Sequence, residues 1–268
     1  MKSVWLILFL IAGGLSQDER SVNVYRVEKE EALELHATNT NIYPVTIELN
    51  LITEGLKANT NLPYTGVLPS QSDEKIMDLS YTNKQAGWSI QSSYRFYMGD
   101  IFARHNDSFA YRLPFPKGDQ YRVTQGFGGE FSHQGELRHA LDFNMPDGTQ
   151  IYAARSGKVV MMEEGNNKGG PSIDMMEYAN FITIMHDDGT FADYSHLRYQ
   201  GVEVRLGQSV RMGQLIGYSG NTGYSTGPHL HFVVKKAKRG GGYVSIPAKF
   251  ATKDGIIELT KDGDYIGY

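Results

Sequence analysis

The chain has 268 residues, no cysteine, and a formal net charge of −4 at pH 7. Without cysteine the protein cannot form disulfide bonds, so its stability must come from buried apolar surface. The mild negative charge leaves no broadly basic surface for a phosphate backbone, and nucleic acid is therefore not an expected partner. The length suffices for one large or two ordinary domains, and we expect two.

Residues 1–16 have the pattern of a secretory signal peptide. Lys2 precedes an apolar run at positions 4–12, and the small residues Gly14 and Ser16 follow it. The run is about half the ~20 residues that a membrane-spanning helix needs, which favours a signal peptide over a retained N-terminal anchor. We therefore expect cleavage after Ser16, export to the periplasm or the extracellular space, and no membrane attachment of the mature chain.

Residues 17–110 predict a β-rich accessory domain. Alternating apolar and polar residues, as at 22–27 and 45–51, are typical of half-buried strands, and nearby prolines, asparagines and glycines supply turns. Several such strands at short spacing favour a small β-sandwich-like module. The segment contains no clustered His, Asp or Glu that looks catalytic. We expect a role in export, spacing or wall attachment, with carbohydrate binding as an alternative accessory role.

A segment with two prolines and a glycine predicts a linker at residues 111–120, before a second domain at 121–250 and a C-terminal tail at 251–268. Glycines are frequent in the second domain and alternate with strand-like runs such as 151–154 and 181–185. Glycine at strand ends permits tight turns. Because no segment has a sustained helical period, we expect an all-β chain whose second domain is antiparallel.

Two histidines near the C-terminus share one face of a predicted strand. Residues 228–234 follow a glycine-rich turn and continue as an apolar, β-branched run. Since side chains alternate along a strand, His229 and His231 project from the same face while Leu230 enters the core. One imidazole could bind zinc while the other stands beside the metal's water. Taken alone, the pair is a weak signal and is better explained as two solvent-facing histidines on a sheet.

Other motifs accompany this pair in a fixed order. An early His and Asp lie within residues 131–143, a Tyr-Ser-His-Leu motif occupies 194–197, and the late His-Leu-His follows at 229–231. In order and spacing these motifs resemble the lysostaphin-type, or LytM-like, zinc metalloendopeptidases over about residues 121–250. The resemblance implies a LytM-like antiparallel β domain, one Zn²⁺ ion, and hydrolysis of peptide bonds in peptidoglycan cross-links or stem peptides.

The resemblance also implies roles for individual residues. His231 becomes a zinc ligand, Asp142 the carboxylate ligand, and His229 and His196 the two catalytic histidines. The zinc would lower the pKa of a bound water toward ~7 and polarise the scissile carbonyl. We expect His229 to take the proton of that water and His196 to donate a hydrogen bond to the oxyanion, although the two roles could be exchanged.

The first zinc ligand departs from the family pattern. The family places a histidine four residues before the aspartate, and here that position is Arg138, which cannot bind zinc. His133 and His139 are the candidates. If residues 138–143 are extended, His139 points away from the face that carries Asp142. His133 lies beyond a glycine and can fold back over the site, so we favour His133 and keep His139 as the alternative.

Two other functions compete with that of a wall peptidase. Relatives that lose ligands can keep the fold and regulate other wall hydrolases, which makes a non-catalytic wall-binding module the main alternative. A secreted protease of Gly-rich proteins is the other. In this chain every catalytic and metal-binding role has at least one candidate residue, which favours an enzyme, because function is decided by the site and not by the fold.

Overall fold

The computed structural model describes residues 8–10 and 21–268, and this part of the chain is almost entirely β. Its only helical elements are two short 3₁₀ segments, Gly135–Leu137 and Ile173–Tyr178. The predicted all-β fold class is confirmed. Of the expected signal peptide, only the backbone of Leu8–Leu10 is described, and the rest lies outside the described residues. None of the described helices is long and apolar enough to cross a bilayer.

The chain forms two compact units, of which the first contains the described residues up to Ile101 together with Arg239–Gly242. Its strands form two four-stranded sheets, in the orders β1-β8-β4-β6 and β2-β3-β7-β5. Alternation along β3 buries Leu33, Leu35 and Ala37, which is the period-two pattern of a sheet with one face in a core. The strands are β1 (Leu8–Leu10), β2 (Val22–Glu28), β3 (Ala32–Asn39), β4 (Val45–Glu54), β5 (Leu56–Ala58), β6 (Tyr64–Leu68), β7 (Ser72–Tyr81) and β8 (Ser89–Met98).

The second unit contains Phe102–Lys238 and Tyr243–Tyr268. Its strands are β9 (Ala110–Tyr111), β10 (Gln120–Gln125), β11 (Leu141–Asn144), β12 (Gln150–Tyr152), β13 (Gly157–Glu163), β14 (Gly169–Gly170), β15 (Phe181–Met185), β16 (Phe191–Ser195), β17 (Leu197–Val202), β18 (Ser209–Val210), β19 (Leu215–Ser219), β20 (Gly223–Tyr224), β21 (His229–Ala237), β22 (Tyr243–Ile246), β23 (Lys249–Thr252), β24 (Gly255–Ile257) and β25 (Asp264–Ile266).

A nine-stranded antiparallel sheet dominates this unit, in the order β18-β13-β15-β16-β21-β11-β10-β25 with β22 paired to β21. Smaller sheets are formed by β12-β19-β17, by β24-β23-β9, and by the parallel pair β14-β20. Strand β21 lies between β11 and β16, which come from distant parts of the sequence. The motifs that are separate in the sequence therefore converge around β21.

The segment expected as a linker contributes to the core of the second unit. Tyr111, Leu113 and Phe115 are fully buried there, because alternate residues of an extended chain point to the same side. Residues expected as a C-terminal tail also belong to this unit, since β25 pairs with β10 and Leu259 is buried in the same core. The unit observed in the structure is therefore longer at both ends than the expected second domain.

Candidate metal centre

Three neighbouring strands bring the chemically interesting side chains together. In the antiparallel ladder of β11 and β21, Asp142 lies opposite His231. On the other side of β21, Ser195 of β16 pairs with His231, and the chain then turns at His196. The backbone of His196 has a φ of 64°, in the left-handed region that non-glycine residues rarely adopt. This turn keeps the imidazole of His196 beside the end of β21.

His133, Asp142 and His231 form a buried cluster that could hold a metal ion. Their candidate ligand atoms lie within 4.8 Å of one another. The Oδ1 atom of Asp142 is 3.2 Å from Nε2 of His133 and 2.9 Å from Nδ1 of His231. Two imidazole nitrogens and one carboxylate oxygen are a donor set that suits zinc and leaves a fourth tetrahedral position for water. The residues present therefore fit a zinc ion.

The two candidates for the first ligand have different surroundings. His133 is fully buried, and its Nδ1 donates a hydrogen bond to the carbonyl of Gly126 at 2.9 Å, which turns Nε2 toward Asp142. The ring of His139 instead bonds through Nδ1 to the carbonyl of Ser245, also at 2.9 Å. The structure thus places the ring of His133 beside Asp142 and the ring of His139 beside Ser245.

A second pair of histidines stands beside the cluster. The ring centroids of His196 and His229 are 4.6 Å apart, and that of His196 is 5.8 Å from that of His231. Nε2 of His229 lies 3.8 Å from Oδ1 of Asp142. All four histidines proposed for the site, together with the aspartate, therefore share one end of the large sheet.

The turn before β21 orients both of these histidines. Nδ1 of His196 donates to the carbonyl of Thr222 at 2.7 Å, and Nδ1 of His229 donates to the carbonyl of Gly227 at 2.8 Å. The hydroxyl of Ser225 lies 3.2 Å from the same nitrogen of His229. With Nδ1 protonated in each ring, Nε2 of the neutral imidazole is free to accept a proton.

Burial and hydrogen bonding set the charges of these groups. Burial lowers the pKa of His196 to about 3 and also lowers the pKa of His229. Burial by itself would raise the pKa of Asp142, but hydrogen bonds from His133 and His231 outweigh it and hold this pKa well below its usual range. At neutral pH the site thus combines an ionised carboxylate with neutral imidazoles in the second pair. This combination favours a divalent cation and provides a proton acceptor next to it.

An open cavity of about 270 Å³ gives access to the cluster. Besides the site residues, its walls include Thr124, Phe131, Asn144 and Tyr224, and the rings of Phe131 and Tyr224 stack at 5.3 Å. Neither the hydroxyl of Ser225 nor the carbonyl of Thr222 was predicted to orient a histidine. The sequence contains no signal for them, because the glycine-rich turn that carries them is recognisable only as a turn.

Comparisons with known proteins relate the region that carries this cluster to metallopeptidases. Residues 136–243 match the model of Peptidase family M23. The chain is 33% identical over 139 residues to the peptidoglycan DD-endopeptidase ShyA of Vibrio cholerae, covering 50% of this chain and 30% of that protein. It is 38% identical over 116 residues to lysostaphin of Staphylococcus simulans, covering 42% of this chain and 21% of that protein.

Among solved structures, the catalytic domain of the antimicrobial peptidase lysostaphin from Staphylococcus simulans is 30% identical to the chain. The match covers 44% of this chain and 80% of that one, with a TM-score of 0.31. The chain thus spans less than a third of the length of the two relatives named above. Residues 136–243 are thus similar to peptidase family M23. The predicted family resemblance is confirmed, and the matched region includes Asp142, His196, His229 and His231 but begins after His133.

Proposed function

We propose that this protein is a zinc-dependent metalloendopeptidase that hydrolyses peptide bonds in peptidoglycan cross-links or stem peptides. The observation that carries the proposal is the buried Asp142 carboxylate shared by His133 and His231, with two neutral histidines beside it. The names of the relatives support the substrate class, since one is a peptidoglycan DD-endopeptidase.

In this proposal His133, Asp142 and His231 hold one Zn²⁺ ion. When bound, the ion supplies a Lewis acid for the scissile carbonyl and acidifies a water molecule. The carbonyl of Gly126 fixes the ring of His133, and Oδ1 of Asp142 lies between the two imidazoles. Metal binding requires the two imidazoles to be neutral and the carboxylate to be ionised.

His229 is the proposed general base. Its Nε2 faces Asp142 and is unprotonated in the neutral ring, because Nδ1 donates to Gly227. After taking a proton, the same nitrogen becomes a donor and can pass that proton to the leaving amine. His196 has the same tautomer and is more strongly held in its neutral form by burial. His196 can donate a hydrogen bond to an oxyanion only when its Nε2 carries a proton. The roles of general base and oxyanion donor could also be exchanged between His229 and His196.

The rest of the proposal concerns location and accessory function. The signal-like sequence at residues 1–16 supports an exported protein that acts in the periplasm or outside the cell. The β-rich first unit is proposed to assist export, spacing or wall attachment. The partners of the enzyme would then be peptidoglycan peptides or other cell-wall peptides.

Digestion of purified peptidoglycan tests the activity and identifies the bond that is cleaved. The mature protein is incubated with wall material, with and without a chelator, and the released peptides are identified by mass spectrometry. We expect products that disappear with the chelator and return when zinc is added, with His229→Ala as the matched inactive control. Absence of chelator-sensitive products from walls and from Gly-rich peptides would contradict the proposal and favour a non-catalytic regulator.

A further inference from the structure

Gln125 is a polar residue that contacts both Asp142 and the loop that carries His133. It is the last residue of β10, where the pairing with β11 shifts register after Val123, and this irregularity places Gln125 opposite Asp142. The Nε2 atom of Gln125 donates to Oδ2 of Asp142 at 2.9 Å and to Oγ of Ser132 at 2.8 Å. Its Oε1 accepts a hydrogen bond from the backbone N–H of Phe131 at 3.2 Å. Both N–H donors of the side-chain amide and its carbonyl oxygen therefore have partners.

The contact with Gln125 gives the two carboxylate oxygens of Asp142 different partners. Oδ1 faces Nε2 of His133 and Nδ1 of His231, whereas Oδ2 is held by Gln125. With Oδ2 engaged, the plane of the carboxylate is fixed and Oδ1 remains for a metal ion. Partners that hold the outer atoms of metal ligands in this way orient the ligands and tune the affinity for the metal.

The contacts with Ser132 and Phe131 fix the loop that carries His133. The N–H of His133 also bonds to the carbonyl of Gly129, and this part of the loop passes directly over the Gln125 side chain. A Cβ atom at Gly129 would lie only 2.3 Å from Cγ of Gln125, so the close approach requires glycine. One amide thus joins the loop of the first ligand to the strand of the second.

We propose that Gln125 is a positioning residue that sets the metal affinity of this site by coupling the His133 loop to the Asp142 carboxylate. The coupling is needed because His133 and Asp142 are nine positions apart and a 3₁₀ segment lies between them, so no regular strand fixes their relative positions. The inference rests on the proposed zinc site, but it does not depend on which peptide bond is cleaved.

The variants Gln125→Ala and Gln125→Glu test this role in the full mature chain. Alanine removes all three hydrogen bonds, and glutamate keeps the shape but loses the amide donors and places a second carboxylate beside Asp142. Gln134→Ala is the matched control, because the Gln134 amide bonds only to the loop carbonyls of Gly128 and Gly129. Zinc affinity is measured by competition with a chromogenic chelator, Co²⁺ coordination by its visible absorption spectrum, and stability by thermal unfolding of the metal-free chain.

We expect both Gln125 variants to bind zinc about 10–100-fold more weakly and to change the Co²⁺ spectrum, which is the usual size of effect for a partner that orients a metal ligand. Gln134→Ala should change neither, and thermal unfolding of the metal-free chains should show that all three variants are folded. Wild-type zinc affinity and an unchanged spectrum in Gln125→Ala would overturn the positioning role while leaving the proposed function intact. A wild-type chain that binds no zinc would overturn both, whereas one that binds zinc without hydrolysing walls would contradict only the proposed function.

Discussion

Strand β21 and the loop before β11 contribute to the same site by different means. On β21, His229 and His231 are two residues apart, so strand geometry alone directs both to one face, and the ladder with β11 places Asp142 opposite His231. His133 lies on a loop, and its position depends on Gly126, Gly129 and the Gln125 amide. A strand thus fixes the direction of its side chains locally, whereas a side chain on a loop needs partners elsewhere in the fold to hold its direction.

The largest expected effect comes from removing a proposed zinc ligand, either the one on β21 or the one on the loop before β11. His231→Ala and His133→Ala should both lose bound zinc and all detectable hydrolysis, because two protein ligands hold a catalytic zinc far more weakly than three. Zinc content is measured by elemental analysis after dialysis, and hydrolysis by peptide release from walls. His139→Ala is the control and should retain zinc, since its ring bonds to Ser245. Zinc loss in His139→Ala but not in His133→Ala would reverse the assignment.

The next largest effect distinguishes the proposed role of His229 from that of His231. His229→Ala should retain one zinc ion per chain but lower kcat by about 10²–10⁴-fold, because a general base typically contributes this much. Zinc content and steady-state kinetics on a soluble wall peptide measure the two properties separately. Loss of zinc together with activity would mean that His229 also acts as a ligand.

A smaller effect is expected from the turn that orients His229. Ser225→Ala removes a contact of 3.2 Å to Nδ1 of His229 but leaves the bond from that nitrogen to the carbonyl of Gly227. A single hydrogen bond of this kind contributes about 1 kcal/mol, which corresponds to roughly a fivefold decrease in kcat. Steady-state kinetics at saturating substrate measure this decrease in kcat. A decrease as large as that of His229→Ala would mean that the hydroxyl, and not Gly227, fixes the ring.

The smallest effect on activity is expected at a buried histidine away from the site. His186 donates through Nδ1 to the carbonyl of Ser156, and burial lowers its pKa to about 4 from the usual value of 6.5. Between these values the unfolded chain binds a proton that the folded chain does not. The free energy of unfolding should therefore fall as the pH decreases from 6.5 to 4, by up to about 1.4 kcal/mol per pH unit from this residue.

His186→Asn tests this pH dependence, because the asparagine amide can still donate to Ser156 while carrying no titratable group. Urea unfolding at several pH values between 4 and 7 should give a shallower decrease for the variant than for the wild type, with peptide hydrolysis unchanged at pH 7. Parallel curves for the two proteins would show that the stability at acid pH is controlled by other groups.

Several features of the fold follow from local sequence patterns. The apolar, β-branched run at residues 228–234 predicted a strand, and β21 begins at His229. Missing helical periodicity predicted the all-β class, which the two short 3₁₀ segments leave unchanged. Proline and glycine at residues 111–120 suggested a linker, yet Tyr111 and Phe115 are buried in the core of the second unit. Turn-forming residues report local backbone direction and do not reveal whether the segment packs against a core.

The sequence by itself determined the all-β class, the shared face of His229 and His231, and the resemblance to metallopeptidases, because these depend on residue type and short spacings. Only the tertiary structure decided which carbonyls and hydroxyls orient each histidine, and which amide joins His133 to Asp142. These contacts connect segments that become neighbours only when the large sheet assembles. Their geometry is set by strand order and loop packing, which local patterns do not encode.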